Sequence, residues 1–447
     1  MTTHSASIYL DLYDQHAALL ASRSNAVMNE RRADARARLA QYGLPTSRIE
    51  RYKYTDAAAA FAPDYGVNLH RVCSVSDPYK TYRCSVPNLS AVLRFVVGDV
   101  VMPAAPTAVL PEGLRLYSFA EAAAADDAAL LARYYDRLAR ESTDGVSALN
   151  TLLTQDGLVV HLAAGTHLKS PLQIVNISAA DLDMLSSRRL LIVAEAGASA
   201  DILICDHSAG EHQYVSTEVI EVFAGEGSHV GLYTLEETHT TNRRFCHTFV
   251  EQAANSHVQM GSVALTSGLS RSTTDVVLRA AGARYDGVAA VIADAAEHID
   301  HNVLVRHAAE GCQSDMLYKY VLDGDSLGAF AGKVLVEEGA QQTLSQMTNA
   351  NLCVSPTARA LSQPMLEIYA DDVQCNHGST IGRLDDAALF YLRQRGIAEA
   401  EARLLLQHAF INDVLQRIPV GILRERLAML VERRFRGDLR CSGCALL

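Results

Sequence analysis

The side chains best suited to chemistry lie late in the chain, in the stretch DDVQCNHGSTIGRLDD, residues 371–386. Cys375 and His377 are two apart, so on an extended strand both point to one face. A thiolate beside an imidazole can hold a transition metal or accept sulfur. Gly378 and Gly382 admit backbone geometry that other residues resist. Asp385 is the expected N-cap of a following helix. Asp386 suits its positive end, Arg393 and Arg395 its negative end, and Gly396 its stop.

Other donor groups carry less. His298, His301 and His307 fall in EHIDHNVLVRH, but His301 and His307 share a face with Val303 and Val305, the pattern of a core strand. Cys205, Cys246, Cys312 and Cys353 sit in or beside strands and read as packing residues, with Cys312 at a turn. Cys441 and Cys444 have a spacing that suits zinc or redox work, yet a single pair at the chain end reads as an exposed tail. No nucleotide site is expected. GAFAGKV around Lys333 is one residue short of a phosphate loop and has Val334 where Ser or Thr is required. Gly225, Gly227 and Gly231 miss the dinucleotide spacing by one.

The elements that must position these groups can be read from periodicity. Residues 1 to about 60 are mainly helical, with Asn29–Tyr42 rich in Arg and Ala up to Gly43 and Pro45. Residues 57–110 are broken by prolines into short strands and loops. SFAEAAAADDAALLARYYDRLAR, residues 118–140, predicts one helix opened by a Ser118–Glu121 capping box. From about Gly157 apolar residues alternate, as in LVVHL and LQIVNI, and the turns repeat. They align on Gly197, Gly227, Asn255 and Gly282, at intervals of 30, 28 and 27 residues. Beyond, Gly282, Ala296, Gly311, Asp325 and Gly339 follow at 14, 15, 14 and 14. A short strand-plus-turn period cannot bury one unit alone, so coils must stack; a β-helix with two strands per coil of about 28 residues is predicted. A second C-terminal helix, Ala398–Ile418, is apolar around much of its surface, which predicts burial on two sides, one of them open to a partner protein. Arg417 to Arg440 then holds seven arginines against three acids, either a solvated basic helix or a binding face.

Bulk properties exclude several classes. The 447 residues have a formal net charge of −12, which argues against nucleic acid as the main partner. No apolar run approaches the length of a membrane span, and the charged first 30 residues lack a signal-peptide core. Nine cysteines without framework spacing point to a reducing compartment, so a cytoplasmic protein is expected.

LEIYADDVQCNHGSTIGRLDDAALFYLRQRGI, residues 366–397, closely resembles the C-terminal signature of the SufB/SufD family, scaffold components of the SUF iron–sulfur cluster assembly machinery. LYKYVLDGDSLGAFAGKVLVEEGAQQTLSQMTNANLC (317–353) and ALNTLLTQDGLVVHL (148–162) also resemble the family, and PTSRIERYKYTD (45–56) resembles its N-terminal motif more loosely, with Tyr52 at an expected tryptophan. The SufD-like branch fits better, because Leu392 stands where SufB-like sequences carry a functional cysteine and Cys375, His377 and Gly378 match the SufD-like Cys-x-His-Gly. The resemblance implies a right-handed parallel β-helix core (148–384) between an N-terminal helical or mixed region (1–147) and a C-terminal helical domain (385–447). It further implies a non-enzymatic scaffold that pairs with a SufB-like paralogue and carries a SufC-like ABC ATPase. A transient iron–sulfur cluster would be shared with the paralogue, with His377 as an iron-facing metal ligand or a ligand-positioning residue and Cys375 as its neighbour at the same interface. The helical domain would bind the ATPase through Leu404, Leu405, Phe410, Ile411 and Val414. Two alternatives compete. One is a SufB-like homodimeric scaffold. The other is a carbohydrate-active β-helix enzyme, disfavoured because the chain has no Trp for sugar stacking.

Overall fold

The computed structural model describes residues 4–438 apart from 83, 88, 90, 91, 106, 107, 123–126 and 211. The expected stacking holds: the chain is a mainly β solenoid of about 7 turns flanked by N- and C-terminal helices. Two ten-stranded sheets face each other, and successive strands of the coil alternate between them. One sheet runs from Leu158–Leu162 to Arg359–Ile368 and the other from Leu172–Ser178 to Val373–Gly382, with parallel pairing between coils.

Turn residues set the coil length. Gly197, Gly227, Asn255 and Gly282 all adopt positive φ (68°, 61°, 55° and 72°), the conformation a one-residue corner needs. Each N–H at this corner donates to a carbonyl of the next coil: Gly197 to Glu226 (2.8 Å), Gly227 to Ala254 (2.9 Å), Asn255 to Ala281 (3.0 Å). Past Gly282 the half-repeat is corrected by one to three residues. The positive-φ corners are Ala295, Gly311, Gly324 and Gln342, not Ala296, Asp325 and Gly339. The corner-to-corner spacing grows from 29 residues (Gly282 to Gly311) to 31 (Gly311 to Gln342), so the last of these corners falls past Gly339.

Alternation builds the core. Residues at matching positions of successive coils form columns, such as Val160, Ile192, Val222, Val250, Val276, Val305 and Val334, each buried and in register with the next. A buried aliphatic side chain contributes about 2 kcal/mol, and β-branched ones suit the pleat. The other half of the lumen is ionic. Arg188 pairs with Asp206 (3.0 Å), and Arg244 with Asp206 and Glu218 (both 3.1 Å), while Asn176 donates to both acids. Buried charges survive only with such partners.

Helices cover the outer faces. His4–Ser22 and Ala26–Tyr42 lie against the buried helix Gly145–Leu153. Arg32 caps that helix by donating to the carbonyls of Leu152 and Thr154. The motif at 45–56 is no plain junction but a clamp on the first sheet. Arg51 pairs with Asp275, the Tyr52 hydroxyl donates to Asp144 (2.6 Å), and the Arg271 guanidinium stacks 3.9 Å over the Tyr52 ring. The Ser118–Glu121 capping box forms, with reciprocal bonds of 2.6 and 3.2 Å. The single helix expected over 118–140 is instead Phe119–Ala122 and Asp127–Tyr134, the intervening residues lying outside those described.

The lumen also holds His301, bonded to the Tyr320 hydroxyl (2.8 Å), and His307, bonded to Ser314 (2.9 Å). Burial pushes both imidazoles down from 6.5 to about 4. Their unfolded forms therefore bind protons first, so folding stability is full above pH 6.5 and declines as the pH falls towards 4. Urea midpoints measured across that window are expected to drop, and His301→Gln, which keeps a partner for Tyr320, should flatten the drop.

Candidate functional site

Cys375 and His377 lie on the final strand, Val373–Gly382, which pairs on one side only with Thr343–Cys353. Cys375 is opposite Ser345 and His377 opposite Met347, so both face the lumen at its last coil, as their spacing predicts. Cys375 is half-buried against the core and His377 is exposed. The Ser379 hydroxyl donates to Ser362 (2.7 Å), linking the last strands of the two sheets across the mouth. Gly378 and Gly382 have no special backbone geometry. They continue the extended strand without positive φ, and a side chain at either would meet open space.

Among the described residues, no strand or helix caps this end of the solenoid. Arg359–Ile368 and Val373–Gly382 are the outermost strands of their sheets, and Ile381 and Tyr369 beside them are 56% and 60% exposed. The opposite end is closed off by antiparallel strands, Leu114–Ser118 on Leu158–Leu162 and Val100–Val101 on Leu93–Val97.

The chain leaves the mouth through Asp385, whose carboxylate accepts from the N–H groups of Ala387 (2.8 Å) and Ala388 (3.2 Å) and caps the helix Asp386–Gln394. Gly396, at φ 85°, ends it. The helices Glu399–Leu415 and Gly421–Phe435 then double back along the outer face of the second sheet.

That docking corrects the surface expected from sequence. Ile411 and Val414 are fully buried with Leu415 and Ile418 in the cluster shared with the sheet, so they cannot meet a partner. The breadth of apolar surface on Glu399–Leu415 is explained within the chain: one side packs on the sheet, the other faces its sister helix. Phe410 is half-buried under the Lys319 ammonium (4.8 Å). Leu404 and Leu405 do stay accessible. With Glu401, His408, Phe435 and Arg436 they line a groove of about 200 Å³ between the two helices. Several arginines from Arg417 onward are paired within the chain, and among those described only Arg434 is buried. Arg434 is buried against Asp294 (2.9 Å) and Glu297 (3.1 Å), Arg417 pairs with Asp315 (2.9 Å), and Arg436 with Glu401 (3.0 Å).

The remaining candidates do not converge. His301 and His307 point into the lumen, whereas His298 lies on the outer face near Thr55 (3.4 Å). Cys246 and Cys312 are buried, Cys353 is half-buried, and Lys333 pairs with Glu367 from a regular strand. Cys441 and Cys444 fall outside the described residues. One grouping went unread in the sequence. Cys205 and His207 repeat the Cys-x-His spacing of Cys375 and His377, and the fold brings Cys84 to them. The repeated spacing was the available signal; Cys84, 121 positions away, gave none.

Burial raises the Cys375 thiol above its ordinary pKa, so it is protonated at neutral pH in the isolated chain. Alkylation of Cys375, followed by peptide mass analysis, should be slower at pH 7 than for an unstructured cysteine and should accelerate above pH 9.

Comparison with known proteins matches residues 175–410 to the SUF system FeS cluster assembly SufBD core domain and residues 3–174 to the SufBD protein N-terminal region. An iron–sulfur cluster assembly SufBD family protein of Synechocystis is 29% identical over 437 residues, covering 93% of each chain. The iron–sulfur cluster assembly protein SufD of Escherichia coli is 35% identical over 144 residues, 32% of this chain and 34% of its own. The SufD of Bacillus subtilis is 23% identical over 305 residues, 65% of this chain and 66% of its own.

Proposed function

The chain belongs to the SufBD family of the SUF iron–sulfur cluster assembly system, and we propose that it acts there as a scaffold subunit that pairs, mouth to mouth, with a SufB-like paralogue. The observation that carries this reading is the last coil, where a thiol and an imidazole line the mouth of the lumen and the outermost strand of each sheet has one edge without a strand partner among the described residues. Iron–sulfur clusters are commonly held by four thiolates or a thiolate–imidazole mixture. Two donors, Cys375 and His377, make half such a set, so a second chain must bring the rest. Unpaired edges are where that chain docks, since their N–H and C=O groups need partners.

In this reading His377 is the iron-facing ligand and Cys375 its neighbour. The nascent cluster is cargo, assembled at the junction and released from it. The protein performs no ATP hydrolysis of its own; a SufC-like ABC ATPase docks on the C-terminal helices through the groove at Leu404 and Leu405. ATP-driven pairing of two such ATPases would pull the helical domains and open the junction.

Two experiments test this. The chain is co-expressed anaerobically with its SufB-like and SufC-like partners, and iron and sulfide are counted per complex. His377→Ala should leave the complex assembled but hold iron at least about tenfold more weakly, as loss of a metal-site residue does. A mutant that keeps its cluster would move the chemistry to the paralogue, and a chain that never joins the partners would remove the scaffold role. Native mass separates the mixed complex from a homodimeric scaffold. Separately, Leu405→Glu, at a site 44% exposed, should weaken ATPase binding by about 2 kcal/mol, roughly thirtyfold, without shifting the melting temperature of the chain alone.

A further inference from the structure

The second sheet carries a cluster of donors well away from the mouth. Cys205 and His207 project from the same face of the strand Ser199–Ser208, and both are buried. Cys84, ahead of the strand Leu93–Val97 in the chain, is half-buried and lies on top of them. Cys84 Sγ is 3.3 Å from His207 Nε2, and the ligand atoms of all three residues lie within 4.8 Å of one another. All three cysteine and histidine side chains come from one chain, and neither sulfur is in a disulfide.

We propose that Cys84, Cys205 and His207 form a binding site for a thiophilic divalent cation of the zinc class. Bond lengths of about 2.3 Å to sulfur and 2.0 Å to nitrogen place tetrahedral ligands about 3.5–3.8 Å apart. The observed spread therefore needs a contraction of about 1 Å at most, within the reach of a side-chain adjustment at the half-buried Cys84. The surroundings are those of a metal histidine. His207 Nδ1 lies 3.8 Å from the carboxylate of Glu237, which in turn accepts a hydrogen bond from the Ser85 hydroxyl. At that distance there is no hydrogen bond, but a carboxylate on this side of the ring would orient it once the Nδ1–H closes on it. The Gln173 amide reaches both sulfurs, at 3.5 Å from Cys84 and 3.7 Å from Cys205, and would donate to thiolate ligands.

Three protein donors leave a fourth coordination position on the Cys84 side, the more open one. The site also joins parts of the fold distant in sequence. Arg426 of the last helix donates to the carbonyl of Ser85 (2.5 Å), the residue next to Cys84. A cation here would staple the covering segment to the second sheet directly under the C-terminal helices.

The test uses the full-length chain carrying Cys375→Ser, Cys441→Ser and Cys444→Ser, which removes the mouth thiol and the tail pair. The reduced, metal-free protein is titrated anaerobically with Co²⁺ and then Zn²⁺. One equivalent of Co²⁺ should give thiolate-to-cobalt charge-transfer absorption, one equivalent of Zn²⁺ should abolish it, and the melting temperature should rise with either metal. Cys84→Ser in the same background should weaken binding by more than about tenfold. Because Cys84 is half-buried, its metal-free melting temperature should stay unchanged, so a folded variant is available even if His207→Ala does not fold. Absence of thiolate–cobalt absorption, or equal absorption in Cys84→Ser, would overturn the site. Neither result depends on cluster assembly at the mouth.

Discussion

A parallel β-helix satisfies the backbone of each coil only with the coils above and below it. The corner N–H groups of Gly197, Gly227, Asn255, Gly282, Gly311 and Gln342 obey the same rule, each bonding to a carbonyl one coil further on. Such a stack has no internal reason to stop, so its ends must be dealt with separately. Here the two ends are treated differently. Antiparallel strands close the first, and the chain turns away from the second, leaving Arg359–Ile368 and Val373–Gly382 with one edge unpaired. The position of Cys375 and His377 on that final strand follows from where the stack ends.

The same constraint explains what could be read from the sequence. Gly197, Gly227, Asn255 and Gly282 were legible because a corner with positive φ favours glycine or asparagine, so backbone geometry is written in residue type. Alternating apolar residues gave the strands for a similar reason: one face of each must enter the lumen. Ala295 and Gln342 are corners with no such signature, and the sequence pattern puts those turns at Ala296 and Gly339 instead. Neighbouring coils hold those corners in place, and that information is not local.

Long-range docking was the least visible layer. The motif around Tyr52 binds Asp144, Arg271 and Asp275 across up to 224 positions, and each of those residues alone reads as ordinary. The apolar breadth of Glu399–Leu415 was seen, but its meaning was not. Most of it meets the sheet, and only Leu404 and Leu405 with their groove remain outward. Of the basic run from Arg417, Arg434 turns inward to Asp294 and Glu297, while Arg417 meets Asp315 at the surface.

The unequal ends also set the limits of growth. Edges that are free at both ends would let solenoids add head to tail without closing, the geometry of a fibre. The outermost strands of the other end, Leu114–Ser118 and Val100–Val101, run antiparallel to their neighbours, so head-to-tail addition cannot continue the parallel stack there. Two free ends can meet only face to face about a two-fold axis, which makes the strands antiparallel across the seam although every coil on either side is parallel. The seam therefore cannot mimic another coil, and it uses up both available edges. In the pairing proposed above, such a seam would join two members, whether the second is a copy or a paralogue.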